Sequence, residues 1–313
     1  MTLLRLLLAL LLALPAIASA QPAPAFTSYT DAFDRFATET AAMAPDARVK
    51  LFRERFDALV PGFYEPRFGA TEEKYNTRVG KALADYPAER DKFLAAARDF
   101  SAAYATGTAR FRRFFPDYAP TMPIYLLHSL GEMDGGTREL RGKTVAVFGA
   151  DVIARIHDSA TIGPFLDHEL FHFYHASYFP DCDALWCSLW QEGLAVYVAS
   201  KMNPDADDRA LLLTTPRPIR AAVDADLPGA ICLARDKFDS TVKDDYAEFF
   251  FGNGSGKRFP PRFGYYLGYR VARTLGETRN LEQLAKMPPA EVRKAMLDAM
   301  ATIAPCDGAS APA

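Results

Sequence analysis

Neither sign of charge prevails in this 313-residue chain: 36 Lys and Arg stand against 39 Asp and Glu, and the two kinds are mixed along the sequence instead of gathered in blocks. A nucleic-acid partner, which needs a basic face, finds none here. Long apolar runs are missing beyond the first twenty residues, so no later segment is expected to span a membrane. Cysteine is scarce, and Cys182, Cys187, Cys232 and Cys306 lack the paired C-x-x-C spacing of a cysteine zinc site. Three disulfide pairings are open to these four, and the sequence does not choose among them. Histidine is limited to five residues, so a cluster of them carries information.

What is present begins with Arg5, an apolar run from Leu6 to Leu14, Pro15 and the small residues Ala18-Ser19-Ala20 ahead of Gln21. This pattern is expected to be a secretory leader over residues 1–20, cleaved after Ala20, which makes the chain periplasmic or secreted and allows disulfides to persist. Gln21 lacks the thiol that a lipid anchor would need at that place.

Residues 21–119 read as a helical N-terminal region, with Phe93, Ala96, Ala97 and Phe100 at helical spacing. Phe52, Phe56, Phe63 and Tyr64 fit a core stripe better than a ligand box. After Pro120 the period changes. Ile124–Leu127 and Thr144–Phe148 are short β-type runs, separated by Gly135-Gly136 and Gly142. They predict a small sheet, which either is plainly structural or, as in zinc peptidases, offers an edge around Ala146 and Phe148 to which an extended substrate adds as a strand. Helical signals return over 162–179, 188–202, 263–275 and 289–303, a glycine-rich loop lies at 251–256, and residues 307–313 form a Ser/Ala/Pro-rich tail expected to be disordered. The expected class is α+β, mostly helical, with the small sheet ahead of a catalytic helix in a region spanning 120–306.

The informative segment is His168-Glu169-Leu170-Phe171-His172. Residues four apart share a helix face, so both imidazoles can point at one metal ion, while Leu170 and Phe171 turn towards the packing side. With 5 His and 14 Glu in the chain, shuffling would produce this pattern on the order of once in several hundred trials. A catalytic zinc wants a third protein ligand. Glu192, among Leu189, Trp190, Leu194 and Val196 on the next predicted helix, is the candidate, and Gly193, Ala195 and Ala199 are expected to let that helix pack closely on the first. Glu169, next to the first ligand, can take a proton from an attacking water without binding the metal.

H-E-x-x-H with a downstream Glu on a second helix resembles the gluzincin zinc peptidases. More narrowly, HELFH, QEGLAVY and GYYLGY together resemble a group of bacterial Zn-dependent proteases, over roughly Pro123 to Leu275. The resemblance implies a zincin-like fold, Zn2+ held by His168, His172 and Glu192, Glu169 as general base, and a peptide or protein substrate. It also puts the helix bearing Tyr265 near the metal, where a phenol can donate to the developing oxyanion. One departure stands out: thermolysin-like members carry an acid four positions after the ligand Glu, and here that position is Val196.

His175 follows on nearly the same face as His172 and either lines the cleft or packs behind it; His128 and His157 are expected to be structural, and Asp167 receives no role. Two other functions fit the motif: a silent zinc-containing binding protein, and a zinc hydrolase of some non-peptide amide.

Overall fold

The computed structural model describes residues 26–306 apart from 68, 120, 181 and 252–257. The expected leader, the tail from 307 and all but Phe251 of the glycine-rich loop lie outside the described residues.

The chain opens with strand β1 (Phe26–Ser28) and helices α1 (Thr30–Glu39), α2 (Pro45–Leu59) and α3 (Glu72–Phe114). The 43-residue α3 starts at Thr71, whose side chain accepts from the Lys74 N–H, and places Glu72 and Glu73 in its first turn and Arg112 and Arg113 in its last. Those charges oppose the helix dipole at both ends. Phe33, Phe52, Phe56 and Tyr64 are buried and meet edge to face or stacked, so the aromatic stripe is core.

Strands β2 (Ile124–Leu127), β3 (Thr137–Leu140) and β4 (Lys143–Gly149) complete a mixed four-stranded sheet in the order β1-β2-β4-β3. β1 and β2 are parallel, β2 and β4 are parallel, and β3 runs antiparallel to β4. The expectation of a free edge at Ala146 and Phe148 is therefore corrected. β4 is interior: the Ala146 N–H donates to Pro123 O and the Val147 N–H to Gly136 O. The edge strands are β1 and β3, and β3, which reaches the cleft at Thr137, escapes sequence detection because Thr-Arg-Glu-Leu buries only Leu140 and has no apolar alternation.

Helix α4 (Ala150–Ile156) leads to α5 (Ile162–His175) and α6 (Leu185–Met202), followed by α7 (Arg220–Asp224), α8 (Leu227–Asp236), α9 (Lys243–Phe250), α10 (Phe263–Leu275), α11 (Leu281–Ala285) and α12 (Pro289–Ile303). The class is α+β and mostly helical, as expected. α5 stops short of Phe179, whose N–H turns back to His175 O. α3 packs on α5 where Gly107 meets Leu166; a Cβ at 107 would lie 2.9 Å from the Leu166 side chain.

α6 packs against α5, as expected, and also against α10, and the glycine expected to serve the first contact serves the second. Gly193 faces α10 and not α5: a Cβ there would fall 2.1 Å from the carbonyl carbon of Gly268. Two glycines face each other because any side chain would hold the backbones apart. The four cysteines form two disulfides, Cys182–Cys187 and Cys232–Cys306. Among the described residues no helix is long and apolar enough to cross a membrane.

Candidate metal centre

α5 carries His168, Glu169 and His172, and α6 carries Glu192 alongside them. The packing faces of α5 fix its rotation. Leu170 and Phe171 are fully buried, with Phe171 against Phe115, so the remaining arc, with both histidines, faces the cleft. Asp167, fully buried, accepts from Arg110 of α3 at 2.6 Å and from Asn203, just after α6, at 2.8 Å. That carboxylate clamps α5 between two neighbours, a part the sequence did not reveal because each partner is remote along the chain.

The His168 and His172 Nε2 atoms lie 3.0 Å apart, and one Glu192 carboxylate oxygen is 3.3 Å from each. This is the one group of three or more His, Cys, Asp or Glu side chains among the described residues with the spacing to hold a metal ion. Tetrahedral bonds of about 2.0–2.1 Å would separate the ligand atoms by about 3.3–3.4 Å, so the triangle fits zinc closely. The donor set of two imidazoles and a carboxylate also suits zinc and leaves room for a fourth, non-protein ligand.

In this arrangement the charge is shared unevenly. Burial disfavours an imidazolium at His172, but the facing Glu192 outweighs it and raises the group to about 9. Glu192 is half-buried and its lost hydration opposes ionisation, yet the two imidazoles hold its carboxyl well below the usual range. Burial dominates at His168 and lowers it. Glu169 forms no hydrogen bond or ion pair with any described residue, and burial pushes it up to about 8, against His172 and with help from Asp134 and Glu192. A divalent cation would replace the proton of His172 and favour ionised Glu169.

These side chains stand in a cleft of about 770 Å³, bounded by Gly135, Gly136 and Thr137 on one side and by Phe250, Phe251 and Tyr265 on another. Gly135 keeps this side of the cleft open, since a Cβ would lie 3.1 Å from the Glu169 carboxyl carbon and press on it. The Tyr265 ring is 6.4 Å from the His168 ring, and its hydroxyl makes no hydrogen bond with a described residue. Burial, followed by the Glu192 charge, raises its pKa and keeps it a donor. The adjacent Tyr266 is committed elsewhere, donating to Asp224 at 2.9 Å. Tyr269 is buried and stacks on Tyr266.

His175 touches the cleft wall but is stacked between Phe171 and Phe179, each 5.1 Å away, and burial lowers it to about 3. His128 lies on Phe33 at 3.9 Å, and its Nδ1 accepts the Leu130 N–H. His157 sits 4.2 Å from Phe165. Neither approaches the triangle in the way His168 and His172 do. Val196 is buried at the cleft wall, and no described acid hydrogen-bonds to Nδ1 of His168 or His172. Sequence reasoning missed Arg262, which lines the cleft from the start of α10.

Comparison of the chain with protein-family models, curated proteins and solved structures finds no match.

Proposed function

We propose that this chain is a zinc-dependent peptidase of gluzincin type with a zincin-like catalytic region, acting in the periplasm or outside the cell. The observation that carries this reading is the triangle of His168, His172 and Glu192 at 3.0–3.3 Å with the unpaired carboxylate of Glu169 beside it. The two disulfides and the leader-like first twenty residues support an oxidising location.

His168, His172 and Glu192 would hold the ion, which supplies Lewis acidity towards a carbonyl and lowers the pKa of water towards about 7. Glu169 takes a proton from the attacking water and delivers one to the departing amine nitrogen. The Tyr265 phenol donates to the carbonyl oxygen as negative charge develops there. An extended peptide lies along the free edge of β3, where the backbone from Gly136 enters the cleft and hydrogen bonds can add a strand. The dry walls made by Phe165, Phe173 and Phe250 strengthen each polar contact at the reacting bond.

The test is digestion of a diverse peptide mixture by the purified protein, read by mass spectrometry, with Glu169→Gln and a chelator as controls and zinc content measured on each sample. Peptide cleavage by the zinc-loaded protein, lost in both controls, is the expected result. A folded, zinc-loaded wild type that cleaves nothing, indistinguishable from Glu169→Gln, would replace this reading with a zinc-containing binding protein. Turnover confined to non-peptide amides would make the site a hydrolase of another class.

A further inference from the structure

Among the described residues lining the cleft, Arg262 is the one Lys or Arg, and the acids Asp134, Glu169 and Glu192 line the same cleft. None of them pairs with it. Other arginines nearby are committed: Arg220 to Asp208, Arg258 to Asp226 and Arg270 to Asp224. Arg262 makes no side-chain hydrogen bond or ion pair with a described residue, although it is half-buried. Its guanidinium carbon sits 4.5 Å from the centre of the Tyr265 ring. That contact holds the guanidinium over the ring and, with no hydrogen bond to a described residue, leaves its N–H groups available.

A planar fork held in a partly desolvated cleft with no counter-ion among the described residues suits a carboxylate, which can accept two parallel hydrogen bonds from it. Tyr265 is in turn 6.4 Å from the His168 ring, so the guanidinium lies about 11 Å or less from that ligand. An extended residue spans at most about 3.3–3.6 Å, which puts the contacted group within about three residues of the scissile bond.

We propose that Arg262 anchors a carboxylate of the bound peptide and so sets which bond stands over the metal ligands. This rests on the peptidase reading. The carboxylate comes either from the peptide C-terminus, which makes the enzyme a C-terminal trimmer, or from an Asp or Glu side chain near the cut. The fork recognises both sources in the same way, and peptide chemistry separates them.

The experiment uses the zinc-loaded Glu169→Gln protein and isothermal titration calorimetry. The probes are N-acetylated tetrapeptides ending in phenylalanine: a free acid, its C-terminal amide, and amides carrying one glutamate at each other position. At least one carboxylate-bearing probe is expected to bind ten-fold or more tightly than the neutral amide. Arg262→Asn, which tolerates the left-handed backbone at this position (φ 66°), should collapse that ratio towards one, and Arg262→Lys should restore part of it. A preference for the free acid identifies the C-terminus; a preference for one glutamate position identifies a side chain. A ratio that survives in Arg262→Asn, or an equal loss for charged and neutral probes, overturns the anchor while wild-type cleavage leaves the peptidase standing. If no probe binds and the wild type cleaves nothing, both readings fall together.

Discussion

Gly193 of α6 and Gly268 of α10 touch backbone to backbone: a Cβ on Gly193 would lie 2.1 Å from the Gly268 carbonyl carbon, and one on Gly268 would lie 2.1 Å from Leu189 O. Because Glu192 precedes one glycine and Tyr265 stands one turn before the other, this crossing sets how near the phenol comes to Glu192 and the two histidines. Gly268→Ala should cost about 1–3 kcal/mol by forcing the helices apart, and should lower turnover by more than the loss of folded protein explains. Thermal unfolding alongside peptide turnover checks this; an alanine that leaves both unchanged would mean the helices separate without consequence.

Tyr265→Phe removes one oxygen and keeps the ring that stacks under Arg262. If the hydroxyl donates to the oxyanion, kcat should fall about 10²–10³-fold, with zinc content and the unfolding midpoint close to wild type. Equal turnover in the two proteins would retire this assignment.

Asp167 is fully buried and joins Arg110 and Asn203 to α5. Asp167→Asn keeps the shape but strips Arg110 of its counter-charge, and a loss of about 2–3 kcal/mol is expected, below the range for fully buried pairs because Arg110 is partly exposed. Zinc affinity should drop with it, since the helix bearing both histidines loses its clamp. Denaturant titration and competition with a metal indicator measure the two effects.

His157 supplies a pH dependence that does not involve the metal. Burial is the main reason its folded pKa falls to about 4, whereas an unfolded histidine titrates near ~6.5. Between those values the unfolded chain binds more protons, so stability present above pH ~6.5 is lost as pH falls through 4, by about 3 kcal/mol in all. His157→Gln should flatten this part of the acid limb. Urea titrations at intervals between pH 4.5 and 7.5 should show it; parallel limbs for mutant and wild type would contradict it.

The two disulfides close loops of very different length, with separations of 5 and 74 residues. Loop entropy predicts that Cys232→Ser with Cys306→Ser costs about 4 kcal/mol, and the short bridge about 2 kcal/mol. Comparing the double mutants by equilibrium unfolding tests the order.

The sequence by itself determined the elements that obey local rules. Period and punctuation set the bounds of α10 and α12, β-branched and aromatic density marked β2 and β4, and the H-E-x-x-H spacing put two imidazoles on one face of α5, because four residues make about one helical turn. It also singled out Glu192, as a carboxylate amid apolar neighbours. Only the tertiary structure decided matters between segments distant along the chain: the pairing of four cysteines, the β1-β2-β4-β3 order that leaves β3 and not β4 at the edge, the choice of α10 over α5 as the partner of Gly193, the Arg110–Asp167 clamp and the stacking of Arg262 on Tyr265. Each of these depends on which surfaces meet when the core is buried. Local backbone preference is blind to that, because a glycine, a cysteine or an arginine has the same propensities whichever partner it finds.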